Sequence, residues 1–187
     1  HFRYGLLLNP IANKDTVYAI EDSSIIYTKD EVRLNVAFLP KTYFYVYFIG
    51  TDNIFIELYT GYQKNGDTLY YDTAMHWQKF TDPPGLEQFY LINSINKLTE
   101  FENAYKRYDK AQGRMKDKLG NSLQALIDNL DPEFDDLADF NSELEDPISG
   151  GVTFRGDDDD KVKESDVTHV SRSSNDVIVT KISIDHK

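Results

Sequence analysis

Alternating aromatic and aliphatic runs in the first half of this chain, broken by helical spacing and resumed at its end, set the strongest limit on its fold. Within Glu31 to Phe38, the residues Val32, Leu34, Val36 and Phe38 share one face, and Arg33, Asn35 and Ala37 the other. That is the period-two pattern of a half-buried strand. Tyr43 to Ile49 is apolar on both faces and places Tyr43, Tyr45 and Tyr47 together. A central strand fits it, with hydroxyls able to reach water or a partner. Gly50-Thr51-Asp52-Asn53 is a turn signal and Ile54 to Thr60 a second strand, so the two runs read as a hairpin. Asn65-Gly66-Asp67 leads into Thr68 to Tyr71, and Asp82-Pro83-Pro84-Gly85 is a rigid turn leading into Glu87 to Ser94. Proline fixes φ in such turns and glycine permits the reversal.

Helical spacing follows. Leu98, Phe101, Tyr105 and Tyr108 recur at three and four residues, with Ser94 or Asn96 able to cap the start. Met115, Leu119, Leu123, Leu126, Ile127 and Leu130 form a second stripe, and Asp131-Pro132 opens a short third helix with Phe134, Leu137 and Phe140 inward. Asp176 to Asp185 alternates again through Val177, Val179, Ile182 and Ile184, with a slip of one residue that predicts a bulge or an edge strand covered on both sides. A chain that leaves a sheet for helices and returns with its last strand folds as one unit. The reading is therefore a single domain over residues 1–187, mainly β with an α insertion. It is an antiparallel β-sandwich with two or three helices inserted before the last strand, at about residues 96–145, then a flexible acidic loop at about 146–170.

Charge and composition narrow the function. The chain has 20 Lys and Arg against 32 Asp and Glu, a net −12 that repels phosphate backbones and excludes general nucleic-acid binding. No run approaches the roughly 18 apolar residues of a membrane span. Cysteine is absent, which removes disulfides, thiolate catalysis and Cys-based metal sites. There is no Gly-x-Ser-x-Gly elbow and no phosphate loop ending in Gly-Lys. The paired carboxylates sit in solvated runs, whereas acid–base work needs two carboxyls in divergent environments within a cleft.

The metal candidates are few. Among His1, His76, His169 and His186 no pair has ligand spacing, and His76 beside Trp77 reads as structural. His1 could hold copper through its amino group and imidazole, together with His76, in a histidine-brace oxidase if it is the mature terminus. The run Asp157, Asp158, Asp159 and Asp160 offers the clustered oxygens that Ca2+ prefers, but the twelfth position from Asp157 is Thr168, not the glutamate of an EF-hand. The tyrosine face of Tyr43, Tyr45, Tyr47 and Tyr59 has two readings: a core beneath the helices with hydroxyls at the rim, or a surface that binds protein or glycan.

Three segments carry a resemblance. Glu31-Val32-Arg33-Leu34-Asn35-Val36, Tyr43-Phe44-Tyr45-Val46-Tyr47-Phe48-Ile49 and Asp82-Pro83-Pro84-Gly85-Leu86-Glu87 running on to Ser94 resemble the bacterial domain of unknown function 4384 family, and the strand from Val177 to His186 is similar to that family's last. The chain departs from it at Glu57-Leu58-Tyr59-Thr60-Gly61, where the family often has Leu-x-Pro-Asn. The resemblance implies a non-catalytic β-rich module, carried by bacterial envelope proteins, with no catalytic residues to transfer. The expectation is thus a non-enzymatic protein–protein binding or assembly module, periplasmic or on the cell surface, whose partners are other subunits in a homo- or hetero-oligomer. No cofactor is expected beyond Ca2+. In this reading Glu87 accepts backbone amides at the Pro-Pro-Gly corner, and Phe2 to Leu8 pairs within its own sheet or adds to a neighbour's edge. The rival is the metal-binding protein, with Ca2+ or copper.

Overall fold

The computed structural model describes residues 2–14, 16–38, 41–62, 70–71, 77–130, 153–154, 168–170 and 176–187. Its strands are β1 (Phe2–Asn9), β2 (Thr16–Ile20), β3 (Ser24–Ile26), β4 (Glu31–Phe38), β5 (Tyr43–Ile49), β6 (Phe55–Tyr62), β7 (Tyr70–Tyr71), β8 (Gln78–Lys79), β9 (Gly85–Ser94), β10 (Thr153–Phe154), β11 (Thr168–Val170) and β12 (Val177–His186). Two helices, α1 (Thr99–Lys110) and α2 (Arg114–Leu130), stand between β9 and β12. The sheets are two. One has seven strands, in the order β10-β2-β1-β4-β7 with β11 also on β1 and β8 also on β4; the other runs β3-β12-β9-β5-β6. Pairing is antiparallel except for β3 against β12. The fold is the expected β-sandwich with a helical insertion, and no described helix is long and apolar enough to cross a membrane. The third helix expected near Phe134 and most of the acidic loop lie outside the described residues.

Two cores lie on opposite faces of the five-stranded sheet. Between the sheets, Leu6, Val32 and Leu34 meet Phe44, Val46, Phe89, Leu91, Ile182 and Ile184. On the other face, Tyr45, Tyr47, Tyr90, Ile92 and Val179 meet Phe101, Ala104 and Tyr108 of α1 and Leu123 and Ile127 of α2. A sheet covered on both sides needs strands apolar on both sides, which is why Tyr43 to Ile49 lacks a polar face. The same double covering decides between the two readings of the last strand, in favour of a strand covered on both sides. The β12–β9 ladder runs unbroken from Val177↔Ser94 to His186↔Gly85, with no bulge. Val177 and Val179 point under the helices, whereas Ile178, Ile182 and Ile184 point into the sandwich. The slip marks where helical cover ends.

The N-terminal strand settles within its own sheet. β1 pairs with β4 along its whole length and with β2 and β11 on its other side. It is an interior strand here and not a donor to a neighbour's edge.

Tyrosine hydroxyls hold the helices on the sheet. Leu98 is the residue before α1 and has no side-chain cap of its own. Ser94, an expected cap, instead donates to the Asn96 carbonyl at 2.6 Å. The orphan Leu98 N–H donates across the layer to the Tyr45 hydroxyl at 3.0 Å, and that hydroxyl donates to Glu102 at 3.2 Å. Glu100 and Glu102 in the first turn and Arg107 and Lys110 in the last complement the helix dipole. Gly113, at φ +55°, makes the left-handed step into α2 that a side chain would resist. On β6, the Phe55 N–H donates to Tyr108 at 2.8 Å and the Glu57 N–H to Tyr105 at 3.0 Å. These amides belong to an end strand of the sheet, so α1 covers an edge that would otherwise invite pairing.

Two expectations follow. Tyr108→Phe leaves the buried Phe55 N–H unpaired, and urea unfolding will show a loss of about 1–3 kcal/mol, with the packed ring retained. Burial, the largest cause, raises the Tyr45 hydroxyl to about 12 and the Tyr47 hydroxyl higher still. A raised folded value means stability present below pH 10 and lost as the pH climbs through 10 to 12 and beyond. Absorbance at 295 nm will therefore show part of the 13 tyrosines ionising near pH 10 and the rest only together with loss of near-ultraviolet circular dichroism.

Candidate functional site

The sequence candidates separate in the structure. Tyr45 and Tyr47 are fully buried beneath the helices, joined by edge-on packing with Phe101, and Tyr43 is half-buried against Tyr62 at 4.6 Å between ring centres. Tyr59 does not belong to that face. β6 pairs Tyr59 with Val46 and then Glu57 with Tyr47, so a bulge shifts the phase and turns Tyr59 into the sandwich core. The four tyrosines are therefore not one surface. His1, His76, Asp157, Asp158, Asp159 and Asp160 lie outside the described residues. Among the described residues no group of three His, Cys, Asp or Glu could hold a metal ion.

The structure instead gathers Thr28, Asp82, Glu87 and His186 at one end of the sandwich. Glu87 and His186 stand on neighbouring strands, in phase with Phe89, Leu91, Ile182 and Ile184, so both polar side chains point toward the sandwich core. They are 5% and 1% exposed. His186 Nδ1 lies 3.4 Å from Glu87 Oε1, and its Nε2 lies 3.0 Å from the Thr28 hydroxyl. That hydroxyl donates to Asp82 at 3.1 Å. The ring of Phe80 packs edge-on against the imidazole.

Backbone pinning fixes Thr28. The buried Asp30 carboxylate accepts the Ile11 and Tyr27 N–H groups at 2.9 Å each, and Lys29 and Phe80 close the turn through backbone bonds. Lys187 N–H donates to the Ile26 carbonyl and Thr28 N–H to the Lys187 carbonyl, which carries the parallel β3–β12 pairing on to the site.

A hydroxyl, an imidazole and a carboxylate in line is an arrangement known from nucleophilic catalysis. Here the hydrogen bonds run the other way. Asp82, exposed and close, takes the Thr28 proton, so Nε2 of His186 must donate to Thr28 and leaves the hydroxyl no base. Nδ1 faces Glu87 Oε1 at 3.4 Å without a hydrogen bond. The chain clamps β3, β9 and β12 together.

A cavity of about 190 Å3 opens beside it, lined by Phe48, Gly50, Asp52, Ile56, Phe80 and Glu87 among others. Gly85 begins β9 at φ +151°, and a side chain there would strike Thr51, so the Pro-Pro-Gly corner holds the loop against the cavity wall. Glu87 was expected to accept backbone amides at this corner. It faces His186 instead, and its Oε2 has no hydrogen-bond partner, because the strand directs the side chain inward, away from the turn amides. A Cβ on Gly50 would lie 3.3 Å from both Glu87 Oε2 and Asp52 Oδ1, so these two oxygens converge over bare backbone. Burial raises the Glu87 carboxyl above its ordinary value; His186 opposes that shift and Asp52 adds to it. Sequence reasoning passed over His186 and Thr28. The available signal was phase: Glu87 and His186 are polar residues at core positions.

The sign of the Glu87 shift sets a measurable outcome. Its folded state holds the proton more tightly, so its contribution is present below about pH 4.5 and is lost as the pH rises through the folded value. Glu87→Gln removes that loss. In urea unfolding across pH 4 to 8, the stability of the wild type relative to Glu87→Gln will fall as pH rises; parallel profiles would contradict the buried acid.

No family model, no curated protein and no solved structure matches this chain, so the resemblance in its central strands stands on the quoted motifs alone.

Proposed function

We propose that the chain is a non-catalytic protein-binding module that docks a basic protein partner on the end of the five-stranded sheet that the helices leave uncovered. A patch of exposed apolar side chains carries the reading. Register sets Ile25 beside Asp185 and Asp185 beside Leu86, on the sheet face that the helices cover elsewhere. Ile25 and Leu86 are 53% and 56% exposed, and Tyr27, two residues further on, is 62% exposed. Apolar side chains grouped next to polar ones mark interaction surfaces more often than single exposed residues do. Asp185 stands between Ile25 and Leu86, in an ion pair with Lys187 at 2.7 Å, and the whole chain carries −12, so a basic partner is favoured in steering. The locked Thr28 hydroxyl supports a binding role over a nucleophilic one. The resemblance to the domain of unknown function 4384 family supports a bacterial envelope or surface complex, outside the cytoplasm, as the setting.

A photo-reactive amino acid placed at Leu86 in the native host tests this, with the equally exposed Met115 of α2 as the control position. The expected result is one discrete adduct with a basic protein from position 86, none from position 115, and loss of the adduct in Ile25→Glu. An adduct joining two copies of this acidic chain, or no adduct at position 86, would overturn the proposal.

A further inference from the structure

Three residues of the docking end are chain neighbours of three residues of the buried cluster. Leu86 precedes Glu87, Asp185 precedes His186, and Tyr27 precedes Thr28. Strands turn successive side chains to opposite faces, so Leu86 and Asp185 meet solvent where Glu87 and His186 are sealed inside. We infer that the Glu87–His186 pair is a proton-operated latch on these strand ends: while the pair holds a proton the docking patch is kept in place, and loss of that proton releases it, so that docking weakens as the pH rises. This rests on the docking reading above and adds its regulation.

Hydrogen-bond roles dictate how the pair behaves. Nε2 donates to Thr28, so Nδ1 of a neutral ring turns a lone pair toward Glu87 Oε1 at 3.4 Å. With a proton on either the carboxyl or Nδ1, the pair is neutral as a whole. With neither, it is a carboxylate closed off from water, its Oε2 unpartnered and its Oε1 facing that lone pair. The proton belongs to the pair rather than to one residue, and burial holds it to a higher pH than an ordinary carboxyl does. Asp52 of the β5–β6 turn and Asp82 before β9 line the neighbouring cavity and oppose a further negative charge, whereas Lys79 of β8, exposed at its rim, favours it. Asp30, buried in the turn after β3, keeps both oxygens on backbone amides beside the exposed Lys29, and Lys187 is paired outside with Asp185. Tyr4 of β1 and Tyr59 of β6 turn phenols into the sandwich core; phenols ordinarily ionise near roughly pH 10, and burial pushes that of Tyr4 up to about 12.

Release follows from how β3 is held. Its short ladder sets Ser24–Ile26 against Ile184–His186, and it is continued by the Lys187 N–H on the Ile26 carbonyl and the Thr28 N–H on the Lys187 carbonyl. Net charge sealed beneath that end is relieved by admitting water, and these are the bonds that close it. The closed end is therefore favoured while the pair is protonated and lost as the pH rises through the pair's value.

Hydrogen exchange in the intact chain between pH 4 and 8 reads the latch through the protection factors of the Thr28 and Lys187 amides. Both should fall roughly tenfold or more as the pH rises, the scale of an unpartnered buried charge, through an opening that low urea does not enhance. Glu87→Gln should abolish the fall. Asp52→Asn, at an exposed site whose side-chain carbonyl can still accept the Ile54 N–H, should move its midpoint down by roughly 0.2 to 0.7 pH unit, the size of an exposed charge interaction. Flat protection, a fall that persists in Glu87→Gln, or a midpoint unmoved in Asp52→Asn would each overturn the latch. So would exchange that climbs with urea as steeply as that of Leu91, paired on both sides at the centre of the sheet, because whole-chain unfolding would then be its cause. The chain carrying the photo-reactive residue at position 86 is next irradiated in host extract at pH 5 and pH 8. Adduct yield should drop roughly threefold or more at pH 8, as the docking-competent fraction shrinks, and stay equal at the two pH values in Glu87→Gln. Equal yields without that substitution overturn the latch and leave the docking surface standing. No adduct at either pH overturns the docking reading, and exchange then decides the latch by itself.

Discussion

A five-stranded sheet packed on both faces dictates most of what surrounds it. Each side chain on β5, β9 and the first half of β12 must suit a dry interior, and each polar atom carried inside must find a partner. The tyrosines meet that demand with a ring in the core and a hydroxyl at its margin. Tyr45 closes the start of α1, while Tyr105 and Tyr108 take the amides of β6. The helices are thereby bound to the sheet by directional contacts as well as by apolar area. The same contacts occupy the sheet edge nearest α1, so recognition by strand addition is blocked where β6 begins.

Helical cover stops short of the sheet's far end, and the exposed patch follows from that. Leu86, Ile25 and Asp185 occupy the positions that Tyr90 and Val179 occupy further along, on the same face. Beneath the helices such positions are core. Beyond them they meet solvent, and a sandwich of this size has no further element among its described residues to lay over them. On the opposite face the sandwich is also ending, and there the last core positions fall to Glu87 and His186.

Sheet class, hairpin, the Gly50–Asn53 and Pro-Pro-Gly turns and both described helices were legible because each rests on local sequence signals, while the expected Asn65-Gly66-Asp67 turn lies outside the described residues. β4 and β5 have the bounds their alternation predicts, and the Gly50–Asn53 turn closes with a backbone bond from Asn53 N–H to the Gly50 carbonyl at 2.9 Å. Features that depend on the third dimension were not legible. The bulge that rotates Tyr59 away from Tyr47 leaves no trace in spacing, since the residues of β6 read as one run. The slip in β12 left a bulge and a doubly covered strand both open, because a sequence does not say which layer covers which face. The cap of α1 came from a strand over 50 residues earlier, and no local pattern announces it. The site was half legible. Glu87 drew attention through its turn, but its partner stands 99 positions away, on the neighbouring strand.

Asp30 and Glu87 make an informative pair, since both are acidic side chains less than a tenth exposed. Asp30 spends both carboxylate oxygens on backbone amides, Ile11 and Tyr27, and so completes a turn. Nothing remains on it for a ligand to satisfy. Glu87 sets one oxygen 3.4 Å from His186 Nδ1 without a hydrogen bond and holds the other, unpartnered and closed off from water, beside the Gly50 backbone and Asp52. A group placed only to brace the fold could have been an amide or an apolar residue of similar volume, at less cost in desolvation. Keeping an acid there, closed off from water and set against an imidazole, puts a buried ionisable pair at the point where the sandwich core ends.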